Sequence, residues 1–251
     1  MRTSIIIPAR YDSSRFPGKP LALIRQKNQE SISLIELTWR AAKKVKGAHK
    51  IYIATDNKMI RDFALNFGAD VLMTPKDCDN GTSRCADAIK RYNISDELII
   101  NFQGDAPLTP PHFVEQLIEC MQKDKKINVC TPVIEVNLSH YKKLLNDKSN
   151  GIIGATTVVF DRQMNSLYFS KEIIPTQIQD VNTDKNFHPI YHHVGIYAYR
   201  AVKLREYALW KEGPLEKSEG LEQLRFLENE TKIRCVKVAA GNKKFWEVNN
   251  P

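Results

Sequence analysis

No apolar run in this sequence approaches the length of about 20 residues that a helix needs to cross a membrane. The first four residues, Met1-Arg2-Thr3-Ser4, lead directly into a strand-like run. They lack the long apolar core and the small-residue cleavage site of a secretory signal peptide. We therefore expect a cytoplasmic protein that has no membrane partner.

Paired cysteine motifs are also missing. The chain of 251 residues contains five cysteines, an odd number, and no two of them have CxxC spacing. Such a pattern does not suit a disulfide framework or a zinc site. We expect reduced thiols in all five positions.

Long basic runs are absent, although the formal net charge is +8. The lysines are scattered singly or in pairs such as Lys43-Lys44 and Lys125-Lys126, without alternating aromatic residues. Nucleic-acid-binding proteins usually concentrate their basic residues on one face or stripe. An enzyme that handles nucleotide triphosphates and acidic substrates also needs excess positive charge. We favour that class, and we expect no nucleic-acid partner.

Strand and helix patterns alternate along the first part of the chain. Apolar runs predict strands at residues 5–7, 50–55, 70–73 and 97–102, and the sequence also predicts helices at residues 31–46, 59–67 and 80–91. This alternation is typical of an α/β fold with a doubly wound, mostly parallel (mixed) sheet. Residues 137–200 contain further strands and suggest a β-rich arm within one domain that spans residues 1–251.

Three cations follow the first predicted strand. Arg10, Arg15 and Lys19 lie in a turn-rich loop that also contains Gly18. Ligands of open α/β sheets bind beyond the carboxyl ends of the strands. Guanidinium groups bind phosphate oxygens through two parallel hydrogen bonds. The loop therefore predicts an anion site, with a solvated basic loop as the alternative.

Two further segments carry candidate binding residues. Asn80-Gly81-Thr82-Ser83-Arg84 begins a predicted helix, where free backbone N–H groups could bind an anion, although a simple helix cap explains the pattern equally well. Asp105 follows a strong strand and Gly104, which is a suitable place to hold Mg²⁺ against a triphosphate. A turn-capping aspartate is the alternative.

The loop sequence Pro8-Ala9-Arg10 to Lys19-Pro20-Leu21 resembles the amino-terminal signature PARxxSxRxPGKPL of the CMP-Kdo synthetase (3-deoxy-manno-octulosonate cytidylyltransferase) family. The segments LYFSKEIIP, HHVGIYAYR and GPLEKSEGLEQLR extend this resemblance over most of the chain. It implies a nucleotide-diphospho-sugar transferase (GT-A-like) fold, in which the β-rich arm of about residues 137–200 contributes to acceptor binding and to dimer contact. It also implies CMP transfer from CTP to an acidic sugar, Mg²⁺ as cofactor, and a homodimer that serves surface polysaccharide synthesis.

The resemblance also implies roles for individual residues. Arg10, Arg15 and Lys19 would clamp the triphosphate, and Asp105 and Asn249 would bind the metal. The remaining nucleotide-binding residues would be Ala9, Gly81, Thr82, Arg84 and Gln103. The acceptor-binding residues would be Lys171, His193, Tyr197, Glu219, Glu222 and Gln223. Without the resemblance, the histidine would be read as structural, and the acids as a solvated helix face.

The chain departs from the family pattern at four positions in these segments. Ser83 and Ala106 replace acids, Lys171 replaces an arginine, and Asn249 replaces the second metal-binding aspartate. These changes suit a divergent paralogue with a different anionic acceptor, such as an 8-amino Kdo analogue, another ulosonic acid, a phosphonate or a phosphorylated amino acid. A catalytically weak nucleotide-binding relative is the second alternative.

Overall fold

The structure is a computed structural model that describes residues 1–12, 16–25, 31–151, 155–177 and 187–239. Arg15 and Asn249, for which the sequence predicts roles in phosphate and metal binding, lie outside the described residues. All five cysteines are free, as predicted. In the described part of the chain, no helix is long and apolar enough to cross a membrane.

Within these residues the chain forms strands β1 (Thr3–Ala9), β2 (Leu23–Arg25), β3 (Ser31–Ser33), β4 (Lys50–Thr55), β5 (Asp70–Met73), β6 (Leu98–Phe102), β7 (Val129–Val136), β8 (Thr157–Phe160), β9 (Ser166–Ser170), β10 (Ile190–His193), β11 (Ile196–Arg200) and β12 (Ile233–Lys237). The described helices are α1 (Leu34–Ala42), α2 (Lys58–Asn66), α3 (Gly81–Arg91), α4 (Pro111–Lys123), α5 (Leu138–Ser149), α6 (Ala201–Tyr207), α7 (Pro214–Glu219) and α8 (Leu224–Glu228). A short 3₁₀ helix covers Lys19–Leu21.

Ten of the described strands form one mixed sheet in the order β5-β4-β1-β6-β11-β7-β10-β8-β9, with β12 paired to β7. The strands β5, β4, β1 and β6 run parallel to one another, whereas β11 is antiparallel to both β6 and β7. The predicted β-rich region supplies β8–β11, and these strands extend the same sheet. The proposed role of residues 137–200 in dimer contact stays a prediction.

Apolar residues of the central strands alternate between the two faces of the sheet because successive side chains of a strand point in opposite directions. Ile5, Ile7 and Ile53 pack in one core with residues of α1, α2 and α4. Ile6 and Ala54 pack in the other core with residues of α3, α6 and α8. Helices therefore cover both faces, and the predicted doubly wound α/β architecture is confirmed.

The predicted helix over residues 31–46 begins too early. Residues 31–33 instead form β3, which pairs with β2 in a separate two-stranded sheet. Ser33 caps the helix, since its hydroxyl accepts a hydrogen bond of 3.3 Å from the backbone N–H of Glu36. The helix begins only after this cap, because a serine side chain satisfies one of the free N–H groups of the first turn.

A buried ion pair fastens α7 to α8. Arg225 donates two hydrogen bonds to the Glu216 carboxylate, at 2.6 and 2.7 Å, and both side chains are about 5% exposed or less. The guanidinium also lies 4.6 Å from the ring centre of Tyr207. Since the two charges are removed from water, each depends on the other for compensation.

Arg225→Met should destabilise the fold by about 3–5 kcal/mol, because it leaves the Glu216 carboxylate buried without its partner. The double variant Glu216→Gln/Arg225→Met removes both charges and should recover much of that loss. Denaturant unfolding monitored by circular dichroism measures both quantities. A double variant no more stable than Arg225→Met alone would contradict this account of the pair.

Candidate active site

A cleft of about 470 Å³ opens at the carboxyl edge of the parallel strands. It lies where β1 and β6 end and where α3 begins. Eight of the residues predicted from the sequence line it: Ala9, Arg10, Lys19, Gly81, Arg84, Gln103, Asp105 and Glu222. The carboxyl ends of the parallel strands meet at one edge of the sheet, so the loops after them lie side by side. Open α/β sheets bind their ligands at this edge.

The loop after β1 places two cations at the cleft. Arg10 follows the last residue of β1 and is exposed. Gly18 has a φ of 72°, a left-handed conformation that favours glycine, and its N–H donates to the carbonyl of Tyr11 at 2.9 Å. Lys19 follows Gly18 directly and begins the short 3₁₀ helix. The Lys19 ammonium lies 2.7 Å from Asp105 Oδ2, and only 13% of the lysine side chain is exposed.

The loop after β6 depends on a glycine. A Cβ atom on Gly104 would lie 2.7 Å from the carbonyl oxygen of Pro8, a contact that side chains do not tolerate. The absence of a side chain lets the β6 loop lie directly against the end of β1. Asp105, one residue further, is thereby held beside Lys19 with 33% of its side chain exposed.

The amino terminus of α3 forms another wall. Asn80 caps the helix, as its side-chain oxygen accepts a hydrogen bond of 2.8 Å from the backbone N–H of Ser83. A Cβ on Gly81 would lie only 3.1 Å from Gln103 Nε2. Arg84 is buried and donates to Thr74 Oγ1 at 2.6 Å. Its guanidinium is thus bonded within the protein, although the residue is one of those that line the cleft.

Glu222 connects two walls of the cleft. Its carboxylate accepts a hydrogen bond of 3.2 Å from the backbone N–H of Thr82, and Gln103 Nε2 lies 3.5 Å from its other oxygen. Burial raises the pKa of this carboxyl group. Thr82 itself is buried and shares a 2.8 Å hydrogen bond with the hydroxyl of Tyr199. The structure therefore brings Glu222 to the nucleotide-binding residues predicted from α3 and β6.

Lys171 and Glu219 lie next to the cleft wall without lining it. The Glu219 carboxylate accepts hydrogen bonds from Ser170 Oγ at 2.7 Å, from the backbone N–H of Lys171 at 3.0 Å and from the Tyr168 hydroxyl at 3.4 Å. Lys171 is exposed. Its ammonium approaches Gly220, which does line the cleft.

His193, Tyr197 and Gln223 are buried and do not line the cleft. His193 Nε2 lies 3.0 Å from Thr131 Oγ1, and its ring packs 5.0 Å from that of Phe169. Burial lowers the pKa of His193 to about 3, so the imidazole is neutral at physiological pH. Acceptor contact by these three residues stays a prediction.

Asp105 is the described carboxylate best placed for a metal ion. Within the described ranges, no group of three or more His, Cys, Asp or Glu side chains could hold a metal by itself. Mg²⁺, however, is usually bound through one or two carboxylates together with substrate phosphates. One partly exposed carboxylate in a cleft that also contains Arg10 and Lys19 fits that mode of binding.

Sequence reasoning missed three acids of the cleft, Asp79, Glu212 and Glu216. Asp79 immediately precedes the recognised Asn80-Gly81 turn, and Glu216 belongs to the GPLE segment. Their places in the cleft depend on how segments distant in the sequence come together, which no local pattern signals.

A cation-lined cleft at this edge of an α/β sheet is typical of enzymes that bind nucleotides. The chain belongs to the cytidylyltransferase family, which its residues 4–233 match. The predicted family and the class of nucleotidyltransferase enzymes are thus confirmed.

The chain is similar to 3-deoxy-manno-octulosonate cytidylyltransferase from Maricaulis maris, with 39% identity over 100% of this chain and 93% of the relative. It is similar to the same degree, 39%, to 8-amino-3,8-dideoxy-manno-octulosonate cytidylyltransferase from Shewanella pealeana, over 100% of this chain and 95% of the relative. The two relatives differ in the acceptor that their names specify.

Solved structures agree with this family. A CMP:2-keto-3-deoxy-manno-octonic acid synthetase in complex with CTP is 31% identical and has a TM-score of 0.82, over 100% of this chain and 94% of that chain. A cytidylyltransferase from Leptospira borgpetersenii, 17% identical with a TM-score of 0.56 over 98% of this chain and 79% of that chain, shares the fold.

The neutral state of His193 predicts a loss of stability in acid. Its pKa is about 3 in the fold against an ordinary 6.5, so the unfolded chain binds more protons below pH 6.5. The free energy of unfolding should therefore fall as the pH drops from about 6.5 to about 3, by up to about 1.4 kcal/mol per pH unit from this residue.

Urea unfolding of the wild type and of His193→Gln at several pH values tests this prediction. The substitution should flatten the dependence on pH whatever its effect on stability at neutral pH. His112→Gln, at an exposed position, is the matched control. Equal slopes for the wild type and His193→Gln would show that another group causes the acid sensitivity.

Proposed function

We propose that this protein transfers CMP from CTP to an eight-carbon ulosonic acid, Kdo or its 8-amino analogue, and releases pyrophosphate for surface polysaccharide synthesis. The observation that carries the proposal is the joining of Arg10, Lys19 and Asp105 in one cleft of a chain that resembles a CTP-bound synthetase over its whole length. The proposal includes a cytoplasmic homodimer, with Arg15 and Asn249 in the roles predicted from the sequence.

The donor side of the cleft suits a nucleoside triphosphate. Arg10 and Lys19 would bind its phosphate oxygens, because both cations face the cleft at the end of β1. The start of α3 adds favourable polarity for an anion, since the free N–H groups of a helix begin there. The side-chain amide of Gln103 and the nearby Gly81 would lie against the nucleotide.

Asp105, with Asn249 as the predicted second ligand, would hold Mg²⁺ at the phosphates. When bound, this ion would neutralise charge on the triphosphate and on the departing pyrophosphate. The residues of the chain contribute mainly by orientation and electrostatics, which supply most of the rate in phosphoryl and nucleotidyl transfer. The acceptor hydroxyl would attack the α-phosphorus of CTP. The bond between this phosphorus and the oxygen that bridges to the β-phosphate would break and release pyrophosphate. The hydroxyl proton would pass to solvent or to a base.

The acceptor would lie on the side of the cleft formed by α7 and the loop after it. Lys171 would bind its carboxylate, and Glu222 would bind one of its hydroxyl groups. The acids Asp79 and Glu212 also line the cleft and suit an acceptor that carries an amino group. This feature, together with the Shewanella relative, makes the 8-amino acid a candidate equal to Kdo.

Pyrophosphate release from CTP and Mg²⁺ should be detected with Kdo or 8-amino-Kdo and should depend on the added acid. Sialic acids, phosphonates and phosphorylated amino acids complete the panel. Turnover with one of these other acceptors alone would replace the proposed substrate class. CTP binding without turnover on any of them would favour a catalytically weak relative.

Asp105→Asn should lower kcat by about 100-fold or more, because the amide removes the negative charge that would hold the metal beside the phosphates. Calorimetric titration should also show weaker Mg²⁺-dependent binding of CTP. Asp62→Asn, an exposed residue of α2, is the matched control. A kcat within about threefold of wild type would remove Asp105 from the proposed site.

Lys171→Arg should lower the KM for the acceptor by about 5-fold without altering that for CTP. The planar guanidinium can donate two hydrogen bonds to a carboxylate, and one added hydrogen bond contributes about 1 kcal/mol. If the arginine of the family selects Kdo, the ratio of kcat/KM values should also shift towards Kdo. Lys217→Arg on α7 serves as the control. Unchanged acceptor kinetics would show that Lys171 does not contact the carboxylate.

A further inference from the structure

Helix α7 is held in place along its whole length. The Glu228 carboxylate accepts hydrogen bonds from the backbone N–H groups of Leu215 at 2.9 Å and Glu216 at 3.2 Å, so it caps the amino end. The buried pair of Glu216 and Arg225 fixes the middle of the helix. Glu219 fixes the carboxyl end by its contacts with β9. The position of the next residue, Gly220, is therefore fixed by the contacts of α7 with α8 and with β9.

Most hydrogen-bond acceptor positions of the Glu219 carboxylate are occupied by donors of the protein itself. Three donors from the end of β9 and the residue after it occupy both oxygens of its carboxylate. An ionised carboxylate has about four acceptor positions, so little remains for a ligand. One of the three donors is the backbone N–H of Lys171 itself. The contact thus orients the backbone from which the lysine side chain extends.

Gly220 makes room for the ammonium group of that lysine. A Cβ atom on Gly220 would lie 2.9 Å from Lys171 Nζ, so the ammonium occupies the space that any other residue would fill. Gly220 also has a φ of 60°, a left-handed conformation that favours glycine. It is at the same time a wall residue of the cleft. The ammonium group therefore stands at the edge of the cleft, beside the end of α7.

We propose that Glu219 and Gly220 are positioning residues for Lys171, and that together they place its ammonium where the carboxylate of the acceptor binds. The inference rests on the proposed function, in which Lys171 binds that carboxylate. It gives Glu219 a role different from direct contact with the sugar hydroxyls. Glu219 acts through Lys171. The end of α7 and the first residue after β9 together form one element that selects the acceptor.

A double-mutant cycle between Glu219 and Lys171 tests the proposal, with the acid that the wild type turns over best. Glu219→Ala should raise the acceptor KM by about 10-fold, in the range typical of residues that orient a ligand-binding group. The KM for CTP should stay within about twofold of the wild type, because the donor side is untouched. Glu219→Gln should retain most of the affinity, since an amide can still bond to Lys171 N–H and Ser170.

The second half of the cycle separates positioning from direct contact. In the Lys171→Met background, Glu219→Ala should raise the acceptor KM by less than about twofold, because the group that it positions is gone. Gly220→Ala should also raise the acceptor KM, since its methyl group displaces the ammonium. Glu172→Ala removes an exposed acid from the residue next to Lys171 and is the matched control.

Other results would contradict either the positioning role of Glu219 and Gly220 or the proposed function. If Glu219→Ala raised the acceptor KM by the same factor in the wild type and in the Lys171→Met background, Glu219 would not act through the lysine. A parallel rise in the KM for CTP would show a general structural effect. A wild type that turns over no acidic acceptor would refute the proposed function, and the inference with it. An active wild type whose acceptor KM is insensitive to Glu219→Ala and Gly220→Ala would refute the inference alone.

Discussion

The close approach of two loops at the carboxyl edge of the sheet determines the geometry of the cleft. Gly104 permits this approach, because any side chain would collide with the carbonyl of Pro8. The contact places Asp105 within 2.7 Å of Lys19, although the two residues are 86 positions apart in the sequence. Local preferences cannot create a pair so distant in the sequence. It exists only because β1 and β6 are neighbours in the sheet.

The pair of Lys19 and Asp105 also links the binding of the triphosphate to the binding of Mg²⁺ in the proposed reaction. A phosphate that takes Lys19 alone leaves the carboxylate without its partner, and a cation that takes Asp105 alone leaves the ammonium without its partner. Both ligands together restore a counter-charge to each side chain. Partly buried charges are costly when unpaired, so the binding of one ligand should favour the binding of the other. The same two residues can thus hold both ligands and couple their affinities.

The sequence was most informative where the signal is local. The apolar runs at Lys50–Thr55 and Asp70–Met73 predict two strands with the bounds that the structure has. The motif after β1 likewise points to the cleft, because the ends of parallel strands meet at one edge of a sheet. The start of α1 was predicted three residues too early, since the pairing of β3 with β2 overrides helical spacing.

The sequence was least informative where a role depends on distant partners. His193 belongs to a recognised motif, yet its ring is enclosed by Thr131 and Phe169 from other strands. Glu219 reads as one acid of an exposed helix, yet its carboxylate is bonded to β9. A pattern in the sequence identifies the residue type that chemistry requires. It does not tell whether the polar atoms of that residue are already satisfied by the fold.

The departures from the family pattern take different meanings once their surroundings are known. Ser83 donates to the side chain of Asn80 and thereby supports the cap of α3, so the position carries no negative charge near the proposed nucleotide site. Ala106 is 1% exposed and packs in the interior, where an ionised glutamate would need a partner. Relative to the family pattern, both changes remove a negative charge near the proposed donor side of the cleft. Lys171 differs from them, because its ammonium borders the cleft at the end of α7. A change of acceptor is therefore better explained by the surroundings of Lys171 than by Ser83 or Ala106.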